Sequence, residues 1–73
     1  MKTIPQCGPN GIWDHLGYSI NRCARGGRTI TRPDGSVVDT ITRAHELEDG
    51  YARELRAGKA ELASHGFEME EEA

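Results

Sequence analysis

The chain has 73 residues, of which 36% are hydrophobic and only four aromatic, with nine Lys/Arg against twelve Asp/Glu for a net charge of −3. A domain of this size buries roughly 60% of its unfolded surface, so its core is thin and little is left for the rigid concave scaffold an active site needs. Two cysteines are too few for a small disulfide-built secreted domain, and no apolar run approaches a membrane span or a signal-peptide core; a cytosolic chain with reduced thiols is expected. The net charge conceals a polarity: residues 1–43 carry six basic and three acidic side chains, residues 44–73 three basic and nine acidic. A basic centre joined to an acidic end suits binding a large charged partner better than catalysis.

Residues 1–11 hold Pro5, Gly8, Pro9, Asn10 and Gly11; this punctuation predicts a mobile or irregular N-terminal arm. In residues 12–23, Ile12, Leu16, Ile20 and Cys23 recur at helical spacing with Trp13 on the shoulder of the stripe. Gly17 interrupts that pattern, and Tyr18, Ile20 and Arg22 alternate as in a strand. A short helical turn leading into a strand reconciles the two. The clearest local signal is Arg28–Arg32, Pro33-Asp34-Gly35, then Ser36–Ile41. β-branched residues flank a tight reversal whose glycine takes the positive-φ position. Thr42 is the expected N-cap of a helix over about 43–65. Ala44, Leu47, Tyr51, Leu55, Gly58 and Leu62 supply its apolar stripe. Gly66 before Phe67 reads as a left-handed helix stop, and residues 68–73 as an acidic disordered tail. The expected fold is therefore a single α+β domain over 12–67: a short antiparallel sheet built on a hairpin at about 28–41, packed against a C-terminal helix at about 43–65.

The residues do not compose a known catalytic pattern. Cys7, His15 and Cys23 are evenly spaced, whereas zinc ligands usually arrive as close pairs. Asp14-His15 and His45-Glu46 are sequence neighbours, which do not face one another on a helix or strand. Neither catalytic residues nor a metal or cofactor is expected. The functional candidates are Arg22, Arg25, Arg28 and Arg32, with Trp13, Tyr18 and Ile20. The arginines suit nucleic-acid phosphates or an acidic protein surface; the competing reading is ion pairing with the C-terminal helix. Trp13 and Tyr18 suit interface anchors, against a core that needs its only Trp. A small sheet also leaves edges that accept a partner strand.

In total length, the Met1-Lys2-Thr3-Ile4 opening, the Arg-rich middle and the acidic end, the chain resembles the small lytic-phage regulators that bind host RNA polymerase. The resemblance implies a monomer in the host cytoplasm that docks near the amino-terminal segment of the polymerase's largest subunit, displaces sigma factor, and permits read-through of terminators close to nascent RNA. Trp13, Tyr18, Ile20 and the hairpin edge would then supply apolar or strand-addition contacts, and Arg22, Arg25, Arg28 and Arg32 the charge complementarity. More locally, Arg25-Gly26-Gly27-Arg28, the Asp34-Gly35 turn and the helix carrying Tyr51 and Leu55 are similar to phage head–tail joining proteins. Those are helix–hairpin–helix subunits that assemble into rings. A small nucleic-acid-binding protein is the third possibility.

Overall fold

The computed structural model describes residues 2–70. Eight elements follow in order: β1 (Lys2–Ile4), α1 (Pro9–Leu16), β2 (Ser19–Arg22), β3 (Arg28–Thr31), β4 (Val37–Ile41), α2 (Arg43–Glu48), α3 (Gly50–Ser64) and β5 (Phe67–Met69). β2, β3 and β4 form an antiparallel sheet in that order, while β1 and β5 pair in parallel as a separate ribbon. The fold is α+β, as expected, and forms a slab of 37 × 31 × 14 Å.

The N-terminal segment is not an irregular arm. Gly8 is extended and Pro9 occupies the first turn of α1, where its missing N–H costs nothing and its fixed φ is already helical. Gly17 does not break this helix but ends it. At φ 75° its N–H donates to the Asp14 carbonyl at 3.1 Å, and Tyr18 N–H reaches back to the Trp13 carbonyl at 2.9 Å. This paired closure satisfies carbonyls left over at the helix end, and the chain then enters β2. Lys2–Ile4 is held by β5, with Ile4 opposite Met69. Glu70 N–H extends the pairing to the Ile4 carbonyl at 2.8 Å. The expected tail at 68–73 therefore starts too early: residues 68 and 69 are strand, Glu70 bonds to it, and residues 71–73 lie outside the described part.

The predicted hairpin is present as β3 and β4, and a second one precedes it. Cys23–Gly27 and Arg32–Ser36 are equivalent loops: Cys23 N–H donates to Gly27 O at 3.0 Å, and Arg32 N–H to Ser36 O at 2.8 Å. Each loop has a glycine in the left-handed region, Gly26 at φ 97° and Gly35 at φ 94°. This is the three-residue hairpin connection that demands such a residue. Asp34 stiffens the second by accepting from Ser36 N–H at 2.8 Å and Ser36 Oγ at 2.6 Å.

Thr42 caps α2 as expected: Thr42 Oγ1 accepts from His45 N–H and His45 Nδ1 accepts from Thr42 N–H, both at 3.2 Å. The single helix expected over 43–65 is, however, two. Asp49 leaves helical geometry (φ −129°, ψ 23°), and Gly50 is buried where a Cβ would stand 3.0 Å from the His45 carbonyl oxygen. The break changes which face is inward. The buried positions of α3 are Gly50, Glu54, Gly58 and Leu62, whereas Leu47 and Tyr51 of the expected stripe are 76% and 65% exposed. α1 crosses α3 at Gly58, where a Cβ would meet Ile12 Cδ1 at 2.9 Å. The core comprises Ile4, Ile12, Trp13, Tyr18, Ile30, Ile41, Leu62 and Met69.

Candidate functional site

Three arginine–carboxylate pairs bind the sheet to α3. Alternation along a strand puts Arg28, Ile30 and Arg32 on one face, and that face lies against the helix. Arg28 Nε donates to Glu54 Oε2 at 3.0 Å and Oε1 at 3.2 Å, its Nη2 also donates to Glu54, and its Nη1 reaches Glu46 Oε2 at 3.0 Å. Arg32 grips Glu61 with Nε and Nη2, each at 2.9 Å. Arg53 returns the arrangement to β4, with Nε on Asp39 Oδ2 at 3.0 Å. The spacings match: four strand residues span about 13 Å and seven helical ones about 10.5 Å, a difference the long side chains absorb.

Glu54 is 2% exposed and also accepts from Trp13 Nε1 at 3.1 Å. A buried carboxylate is tolerated only when paired and hydrogen-bonded, and here both the indole and the guanidinium serve it. Hydrogen bonding to Glu54 raises the Arg28 pKa further above its ordinary value. Tyr18 stacks on Trp13 at 5.7 Å and donates its hydroxyl proton to Glu61 Oε1 at 2.8 Å. Because that proton is committed, the 2.9 Å contact with His65 Nε2 requires the histidine to donate. Burial, then Glu61, pushes the Tyr18 phenol up, while the Arg32 hydrogen bonds hold Glu61 below the usual carboxylate range. Among the described residues no buried side-chain polar atom lacks a partner.

The predicted site residues therefore divide. Trp13 and Tyr18, expected as interface anchors, are core residues at 0% and 8% exposure. Arg28 and Arg32, expected to meet a partner, are engaged with Glu54, Glu46 and Glu61. The reason is common to both: a thin core uses its largest aromatic groups, and the helix carboxylates facing the sheet must be neutralised. Ile20 is half-buried on the inner face of β2. Arg22 and Arg25 are exposed, and among the described residues neither forms an ion pair.

Arg22 sits at the end of an open sheet edge. β2 is an outer strand of its sheet, with Ser19, Asn21 and Arg22 exposed. Antiparallel pairs alternate between bonded and non-bonded. Since Cys23 and Gly27 are joined by a hydrogen bond, Asn21–Thr29 and Ser19–Thr31 are the bonded pairs in this register. Ile20 and Arg22 consequently turn their backbone N–H and C=O outward. Beside this edge lies a cleft of about 300 Å³. Gly8, Pro9 and Asn10 form one wall, Tyr51 another, and Arg22, Arg28 and Glu54 line the remainder.

No family model, no curated protein and no solved structure matches the chain. Its functional candidates thus rest on its own residues. Among the described residues no three His, Cys, Asp or Glu side chains gather as a metal ion would require; Cys7 and Cys23 are free thiols. No helix among them is long and apolar enough to cross a membrane.

Tyr51 is what sequence reading passes over; an open sheet edge with Ile20 and Arg22 as candidates is expected, and β2 is one of the two outer strands of the three-stranded sheet. Periodicity places Tyr51 in the buried stripe, and a Gly-Gly pair such as Gly26-Gly27 taken alone marks a break rather than the turn of a hairpin. The usable signal was the repeated pattern of a left-handed glycine nine positions apart, at Gly26 and Gly35.

Proposed function

We propose that this chain is a phage-encoded, non-enzymatic regulator that binds bacterial RNA polymerase directly, displaces sigma factor to inhibit initiation, and promotes read-through of terminators. It acts as a monomer in the host cytoplasm, docking at the amino-terminal segment of the polymerase's largest subunit. The resemblance in length, opening, Arg-rich middle and acidic end supports the polymerase as partner. The observation that carries a protein partner rather than a nucleic acid is the fate of the arginines. With Arg28, Arg32 and Arg53 in ion pairs, Arg22, Arg25 and Arg43 are the arginines left without one near the open β2 edge among the described residues. That is too sparse a surface for the several phosphate contacts that drive nucleic-acid binding, but enough for charge complementarity at a protein interface.

The test is gel filtration of the purified chain with host core polymerase and with the sigma-containing holoenzyme. Co-elution with core and release of sigma are expected, with fewer run-off transcripts and more terminator read-through. Failure to co-elute with either form refutes the reading. The order α1, hairpin sheet, α3 favours a second reading, the head–tail joining subunit; it predicts concentration-dependent rings in the same experiment and no effect on transcription.

A further inference from the structure

We infer that the open edge of β2 is a strand-addition site for an extended acidic segment of a partner protein, one of whose side chains enters the cleft between Pro9 and Tyr51. The inference deepens the protein-binding reading above and rests on it, but not on the polymerase being the partner. Three observations converge. Ile20 and Arg22 direct away from the sheet main-chain donors and acceptors that have no partner among the described residues, which is the template that strand addition uses. Arg22 lies opposite Arg28 in the ladder, so its side chain shares the inner face, and it lines the cleft. A residue of an added strand paired with Arg22 projects from that same face, and its side chain is delivered into the cleft.

The chemistry of the occupant follows from the charges. Around this end of the sheet stand Arg22, Arg25, Arg28 and Arg43, the last with its aliphatic stem 3.3 Å from a Cβ position at Gly26. The carboxylates engaged there are Glu46 and Glu54, both held by Arg28. Four cations against two anions leave an excess of two positive charges. A carboxylate of the incoming strand meets Arg22, and further along Arg25. The side chain in the cleft meets the exposed ring of Tyr51 and the pyrrolidine of Pro9, so an apolar or aromatic residue two positions from the acid, on the same face of the added strand, fits best. The volume of about 300 Å³ leaves ample room for one large side chain. A nucleic acid is disfavoured because Arg22, Arg25 and Arg43 offer too few phosphate contacts to hold a continuous polyanion.

Backbone amide NMR titration of the full 73-residue protein decides the matter with three probes: the hexapeptide Thr-Glu-Thr-Phe-Thr-Glu, which presents Phe and both Glu side chains on one face of a strand, its Lys-for-Glu counterpart, and hexathymidylate. The acidic peptide is expected to shift the amides of Ile20, Arg22, Asn10 and Tyr51, with binding on the order of tenfold weaker in Arg22→Glu. Tyr51→Ala, at an exposed position, is expected to weaken binding while leaving thermal stability unchanged. No shifts at millimolar acidic peptide, shifts mapping to another surface, or an equal response to the lysine peptide overturns the inference. Tighter binding of hexathymidylate overturns it in favour of a nucleic-acid site. Acidic-peptide binding without polymerase binding keeps this inference and removes the polymerase reading; polymerase binding unaffected by Arg22→Glu and Tyr51→Ala does the reverse.

Discussion

Glu54 is the position at which the fold is most exposed to a single change. Its carboxylate, buried at 2% exposure, holds both the Arg28 guanidinium and the Trp13 indole N–H. Glu54→Ala leaves a largely buried cation with only Glu46 and orphans the indole, and breaking a buried pair from one side costs about 3–5 kcal/mol. A 73-residue domain has a total stability on the order of 4–11 kcal/mol, so this variant is expected to be partly or wholly unfolded at 37 °C. Glu54→Gln is the gentler probe. Its amide oxygen still accepts from Trp13, and the loss is confined to the charged hydrogen bonds, about 1.5–3 kcal/mol. Adding Arg28→Met to Glu54→Gln removes the stranded cation and is expected to recover most of that loss, since replacing both partners of a buried pair is often neutral. The assay is urea unfolding followed by the fluorescence of Trp13, the only tryptophan and fully buried. If both Glu54→Ala and Glu54→Gln unfold within about 0.5 kcal/mol of wild type, a threshold well below the cost of any buried pair, the buried ion pair is not what joins sheet to helix.

Gly58→Ala gains up to about 1 kcal/mol in helix propensity but drives a methyl into Ile12, at a cost of about 1–3 kcal/mol; a net loss is expected, and Ile12→Val in the same chain, lacking the Cδ1 atom 2.9 Å away, should relieve it. Thr42→Ala removes the oxygen that accepts from His45 N–H and should lower stability by about 1 kcal/mol, read as a lower urea midpoint at unchanged slope. Glu61 titrates below its ordinary range in the fold, so the unfolded chain takes up the proton first. Its contribution is intact above the ordinary carboxylate pKa and lost as pH falls through the depressed folded value, and Glu61→Gln should flatten the acid limb of a Tm–pH curve. Tyr18 has the opposite sign: its pKa is raised from 10.0, so its contribution is intact below that pH and lost as pH rises through the folded value. Tyr18→Phe should remove that alkaline loss, and an unchanged alkaline limb would contradict the assignment.

Features whose cause lies within a few residues were legible in the chain. Pro33-Asp34-Gly35 makes its turn because the glycine must adopt positive φ, Thr42 caps because its hydroxyl lies one turn from His45 N–H, and Gly66 stops α3 at φ 80°. The α+β class follows from those signals together with the β-branched runs. Tertiary contacts decided the rest. Lys2–Ile4 is a strand only because Phe67–Met69 lies beside it, and three residues carry no period of their own. α3 rotated its apolar stripe partly outward because Glu54 is required by Trp13, 41 residues away, and by Arg28, 26 residues away. Periodicity counts apolar side chains and assigns a glutamate to water; it cannot register that a distant indole and guanidinium make the interior the better place for this one. The same two demands took Arg28, Arg32, Trp13 and Tyr18 out of the candidate site, and left Arg22, Tyr51 and the edge of β2 facing outward.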